Sequence, residues 1–140
     1  MPPPTRRGSY DDPMHREIAP DDIAAPAANY AHAILTTDAR RWLHTSGVVP
    51  TAPDGSVPTT IGEQAEVMWT NVAAMLRHAS FAPDDVVSVT TYAVVGQDLG
   101  PVMAARDHFM AGHRAASTLV TVPALARPEW LVEVAVVAAH

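Results

Sequence analysis

The most constraining stretch of this chain is Trp130-Leu131-Val132-Glu133-Val134-Ala135-Val136-Val137, apolar at every position but one. A β-branched run of this kind reads as a strand, continuing to Ala138, and a strand apolar on both sides is one buried on both faces. Its single carboxylate, Glu133, stands out, because buried carboxylates are rare unless partnered or functional. Ser117–Val122 reads as the preceding strand, and Pro123 to Glu129 as the proline-bearing connection between the two.

A chain of 140 residues with 48% hydrophobic content is one domain with a proper core. Charged residues make up 17%, against a usual share of about 25%, so disorder is excluded. Low charge with abundant Ala and Val points to more than one buried face, and hence to oligomerisation. The net charge is −6, and no cluster of basic residues forms a phosphate-tracking stripe, so no nucleic-acid partner is expected. Cysteine is absent, which excludes disulfides, thiolate catalysis and zinc–thiolate sites. No apolar run approaches the roughly 20 residues that span a bilayer, so no membrane partner is expected. The N-terminal residues lack the apolar core of a signal peptide, and a cytoplasmic location follows as the expectation. The seven histidines show no ligand spacing. Neither a metal nor another cofactor is expected.

Residues up to about Ala25 are rich in Pro, Asp and Arg without sustained periodicity. They read as a mobile arm over 1–23, able to add a short strand to a single domain over 24–140. Tyr30–Leu35 and Arg40–Val49 read as a β-hairpin. Pro53-Asp54-Gly55 centres a turn-rich loop. Thr60-Ile61-Gly62-Glu63 has the pattern of a capping box, and apolar residues from Ala65 to Leu76 predict an amphipathic helix from Ile61 to about Ala79. Val86–Val95 is a strand by composition. A second helix begins near Pro101, buries Val102, Ala105, Phe109 and Met110, and is closed by Gly112. The order ββ-α-β-α-ββ puts both helices on one face of a mixed sheet. The other face keeps apolar residues, and a partner subunit is its natural cover.

Several segments together resemble the Rid (YjgF, L-PSP) family over about residues 24 to 138. Ala25-Pro26 to Tyr30 is similar to that family's opening "AP…PY" segment, and Ser46-Gly47-Val48-Val49-Pro50 to its "SGqiP" strand end. Gln64 and Asn71 fit its "Q…N" helix, Asp85-Val86-Val87 its "DVVK", Phe109 its second-helix phenylalanine, and Glu133-Val134 its "EIEA" strand. The resemblance implies a chorismate-mutase-like α/β fold of the α+β kind. It also implies a homotrimer around an inner barrel, with small-molecule sites in the clefts between subunits. The best-known members hydrolyse reactive enamines and imines to a keto acid and ammonia. An arginine on their penultimate strand clamps the substrate carboxylate. A glutamate on the last strand, an early tyrosine and the "SG" turn position water.

Carried over, the tyrosine is Tyr30, the turn Ser46-Gly47 and the glutamate Glu133. Counting back without gaps from Leu125 puts Ser117 at the arginine's position and Leu119 at the family's frequent cysteine, while Val102 takes the second-helix asparagine. Bringing Arg114 into the arginine's place needs a three-residue shift. An odd shift reverses the facing of every strand residue, so it is excluded at this stage. The chain then reads as a divergent member without the charged clamp. Glu133 is expected to be the general acid/base, with Tyr30 and Ser117 orienting the substrate, against the reading of Glu133 as a satisfied buried carboxylate and Ser117 as a small strand residue. Arg127 either replaces the clamp or is a loop arginine paired with Glu129. Trp130 either walls the cleft or packs between subunits. His32 and His44 could face each other or the cleft, and Trp69 is packing. The expected activity is a Rid-type deaminase, hydrolase or tautomerase of altered specificity, weak on ordinary 2-imino acids. The alternatives are a non-catalytic metabolite-binding trimer and, least consistent with the acidic charge, a ribonuclease.

Overall fold

Strands and helices alternate as expected in the computed structural model, which describes residues 13–140. Of the arm expected over 1–23, residues 1–12 lie outside the described residues, and His15–Ile18 forms a strand, β1. It pairs antiparallel with β2, Ala33–Thr36, from His15↔Thr36 to Ile18↔Ala33. The hairpin expected between 30–35 and 40–49 therefore does not form. Asp38 turns the chain in the left-handed region (φ 59°), and the amides of Arg40 and Arg41 both donate to the His140 carbonyl, at 3.0 and 2.9 Å. Those bonds lead Trp42–His44, β3, along the far end of the chain instead of back along β2.

Thr60 is extended and its Oγ1 accepts the Glu63 amide at 3.3 Å, starting helix α1, Ile61–His78. Ile61, Ala65, Met68, Trp69, Val72 and Leu76 recur every three or four residues and are buried. The loop before the helix turns at Gly55 (φ 86°). There Asp54 Oδ1 accepts from the amide and hydroxyl of Ser56, which holds its carboxyl below the usual aspartate range. A short 3-10 turn, Pro83–Asp85, leads into β4, Val86–Val94. Helix α2, Gly100–Met110, has Pro101 in its first turn and buries Val102, Arg106 and Met110. It stops where Ala111 (φ 47°) and then Gly112 (φ 90°) turn left-handed. β5, Ala116–Val122, and β6, Val132–Ala139, complete the chain.

The main sheet has the order β3-β6-β4-β5. Only β4 and β5 run parallel, as a helical crossover through α2 requires. In-register neighbours share a face, so the ladder sorts every strand residue. Val89, Thr91 and Ala93 on β4 and Val132, Val134 and Val136 on β6 lie under the helices and are buried. Thr90, Tyr92, Thr118, Val120, Glu133, Ala135 and Val137 lie on the opposite face, half-buried or exposed, with Val120 at 39%. The strand expected to be buried on both faces is thus buried on one within a single chain. The β1–β2 hairpin reaches the end of the sheet near β4, and His15 Nε2 lies 2.9 Å from the Ala139 carbonyl. No described helix is long and apolar enough to cross a membrane.

Candidate functional site

Glu133 sits on the open face of β6, opposite Tyr92. The chain after β3 keeps following β6. The Thr45 amide donates to Val136 O at 3.0 Å, and Val48 exchanges bonds of 2.7 and 3.1 Å with Val134. Three steps on this edge match two on β6, so Ser46-Gly47 forms a bulge, and Thr45 Oγ1 takes the Val136 amide at 2.9 Å. The bulge brings Gly47 onto the carboxylate: a Cβ there would lie 2.3 Å from Glu133 Oε2. Glycine is needed at 47 because backbone and carboxylate approach this closely. A groove of about 420 Å³ lined by Ser46, Gly47, Asn71 and Met75 opens beside them. Asn71 holds its wall by donating to the carbonyls of Val49 (3.2 Å) and Thr51 (2.9 Å).

Several expected site residues lie elsewhere. Ser117 is level with Val89, and Val89 with Val136, so Ser117 faces the helices. Leu119 is level with Thr91 and Val134 and packs on the core. Glu133 points the other way, and Ser117 and Leu119 share no site with it in one chain. Val102 is 2% exposed in the core beneath α2, which removes it from any cleft. Arg127 does not take the expected Glu129 partner; its guanidinium lies 5.3 Å from the Trp130 ring centroid, in an exposed loop. Trp130 Nε1 is buried without a partner. That loop is tied down by Gln64, 1% exposed, whose Nε2 donates to Pro58 O and Glu129 O and whose Oε1 accepts the Leu131 amide, each at 2.8 Å. Gln64 and Asn71, noted only as motif residues, are the ties that shape the walls. His32 Nε2 meets Ala24 O at 2.6 Å while His44 stacks on Trp42, so the two histidines do not face each other. Trp69 packs as expected, stacked on Phe109 at 4.6 Å beneath a 540 Å³ groove between the helices that contains none of the expected site residues.

The parity that placed Ser117 under the helices brings Arg114 back. Arg114 lies two residues before β5, whose first residue, Ala116, is on the Glu133 side of the ladder. Its Nη2 donates to the Tyr30 carbonyl and lies 3.2 Å from Glu17 Oε1. Among the described residues its buried Nε has no partner. The Tyr30 hydroxyl accepts the Ala27 amide at 3.3 Å. A cavity of about 240 Å³ lined by His15, Glu17, Ile34, Gly112, His113 and Arg114 adjoins the guanidinium. Val120 and Glu133 are both level with Tyr92. Arg114 therefore lies six residues up the neighbouring strand direction, roughly 20 Å from the glutamate's level. Tyr30 with Arg114, and Glu133 with the Ser46-Gly47 bulge, are two clusters too far apart in one chain to meet on one small ligand.

Two helices on one face of a mixed sheet, with a glutamate against a glycine bulge on the other, define a small α+β class of domain. The family model for Endoribonuclease L-PSP matches residues 21–140, and the chain belongs to that family. Its fold is similar to that of a Rid-family protein, YyfB of Yersinia pestis, at 29% identity and a TM-score of 0.82, covering 91% of this chain and 99% of that one. It is also similar in fold to E. coli TdcF, solved with bound serine (20% identity, TM-score 0.67, 89% and 98% covered). Yeast Mmf1 shares the fold at 22% identity and a TM-score of 0.65, with 89% and 98% covered. No curated protein matches the chain.

Proposed function

We propose that this chain is a Rid-type hydrolase of small imine or enamine carboxylates, acting in a cleft between two copies. One copy contributes Arg114 and Tyr30, and the next contributes Glu133 with the Ser46-Gly47 bulge. The supporting observation is that the two clusters stand at different levels of the sheet, too far apart within one chain to meet on one small ligand. A homotrimer around an inner barrel, three chains of 14.9 kDa each, is the assembly this reading takes, and it covers the exposed Val120 face. The expectation of weak activity on 2-imino acids rested on Ser117 occupying the arginine's place. The present reading puts Arg114 in that role instead, and so takes ordinary 2-imino acids as substrates.

In this mechanism the Arg114 guanidinium holds the substrate carboxylate through charge-assisted bonds. Glu133 takes a proton from a water as the water oxygen bonds to the carbon of the protonated imine and the C=N electron pair moves to nitrogen, giving a neutral carbinolamine. It then returns that proton to nitrogen and takes the hydroxyl proton as the C=O bond forms and the C–N bond breaks, releasing ammonia and the 2-keto acid. Gly47 leaves room for the carboxylate itself to lie against the bulge. RNA cleavage is disfavoured, because a −6 chain without lysine offers no phosphate-tracking surface.

The test is ammonia release from the enamine that threonine dehydratase generates. The wild-type chain accelerates release above the spontaneous rate. Glu133→Gln lowers kcat by about 10²- to 10⁴-fold, the range for lost acid–base catalysis. Arg114→Ala acts mainly by raising KM. Saturable binding without acceleration, or full activity in Glu133→Gln, refutes the reading.

A further inference from the structure

We infer that Glu17 on β1 is a built-in competitor for the anion-binding edge of Arg114, and so sets how strongly this pocket takes a carboxylate ligand. The inference rests on the proposed role of Arg114 and adds a residue from the N-terminal segment to it. A guanidinium presents five N–H groups in a fixed fork and is matched best by a carboxylate bound through two of them. Among the described residues Nη2 alone is engaged, by Tyr30 O and by Glu17 Oε1 at 3.2 Å, and the buried Nε has no partner there. Glu17 therefore neutralises the guanidinium without satisfying it. An incoming carboxylate that bridges Nε and Nη2 makes the fuller contact and displaces Glu17 in doing so.

The surroundings support displacement. The two side chains remain 35% and 33% exposed, so water can replace the contact from the Glu17 side. The adjoining cavity of about 240 Å³ suits a carboxylate carrying a few carbons. Its two histidines are tied to backbone carbonyls, His15 to Ala139 O at 2.9 Å and His113 to Val86 O at 2.7 Å, which leaves Arg114 to receive the anion. β1 carries Glu17 in a fixed register, opposite Ile34, so the competing carboxylate is held at a constant position beside the site.

The experiment is calorimetric titration of the full chain with 2-oxobutyrate, a carboxylate that is a product and not a substrate, alongside enamine kinetics. Glu17→Gln preserves shape and removes the charge. It should tighten the Kd and lower KM by roughly two- to fivefold, the worth of an exposed ion pair, with kcat unchanged. Arg114→Ala should abolish the 2-oxobutyrate heat in either background. If Arg114→Ala weakens binding while Glu17→Gln leaves it unchanged or weakens it, Glu17 is only a strut for the β1–β2 hairpin and the inference fails while the proposed function stands. If Arg114→Ala leaves binding intact, both fail. A thermal melt of each variant separates loss of binding from loss of fold.

Discussion

At the scale of single residues, close approach matters more than charge count. Gly47 has no Cβ because Glu133 Oε2 occupies that volume. The obstacle is the end of a flexible side chain, so Gly47→Ala displaces the carboxylate and leaves the sheet standing. Its melting curve should shift by about 1 kcal/mol or less. Its kcat should fall by roughly 100-fold, as a misplacement of about 1 Å can cause. Gln64 is the opposite case. Gln64→Ala strands three backbone groups in a buried place and should cost about 3 kcal/mol or more in urea unfolding, with residual activity per folded molecule preserved. Glu133 and the Ser46-Gly47 turn were legible in the sequence because each is a break in its surroundings. Arg114 was not, because the count toward it was anchored on Leu125. That residue lies in the connection between β5 and β6, where length is free to vary, so a count through it does not fix the facing of residues in and before β5.

At the scale of elements, local periodicity and long-range pairing part company. Both helices, β4, β5 and β6 were legible, since each carries its own signal: a cap at Thr60, Pro101 in a first turn, β-branched runs. The partners of β2 and β3 were not. β1 is four residues in an aperiodic segment, and β3 pairs with a strand almost a hundred residues away in sequence, so neither pairing is marked locally. Val102 is the reverse case. Its helical spacing put it in the buried stripe, where it lies, and only the resemblance suggested a cleft residue. Val102→Ala should therefore lower stability by about 2 kcal/mol through the cavity it leaves, with KM for the enamine unchanged. A rise in KM without loss of stability would return Val102 to the cleft.

At the scale of the whole molecule, the helices seal one face of the sheet and leave the other with Tyr92, Val120, Ala135 and Val137 uncovered and Glu133 among them. Members of this family are generally homo-oligomers, and an open face of this composition is what an oligomer covers. The central claim is that the site is assembled from two copies, Arg114 of one and Glu133 of the next. Mixing tests it directly. At substrate concentrations well below the raised KM of Arg114→Ala, the Arg114→Ala and Glu133→Gln chains are each nearly inactive alone, but co-refolded oligomers contain some clefts with both native groups. Ammonia release should return to about a quarter of the wild-type rate at equal mixing, the share of clefts in which both contributors are intact. Mixed oligomers that form, verified by a mass-distinguishable tag, and remain as inactive as their parents would contradict the account.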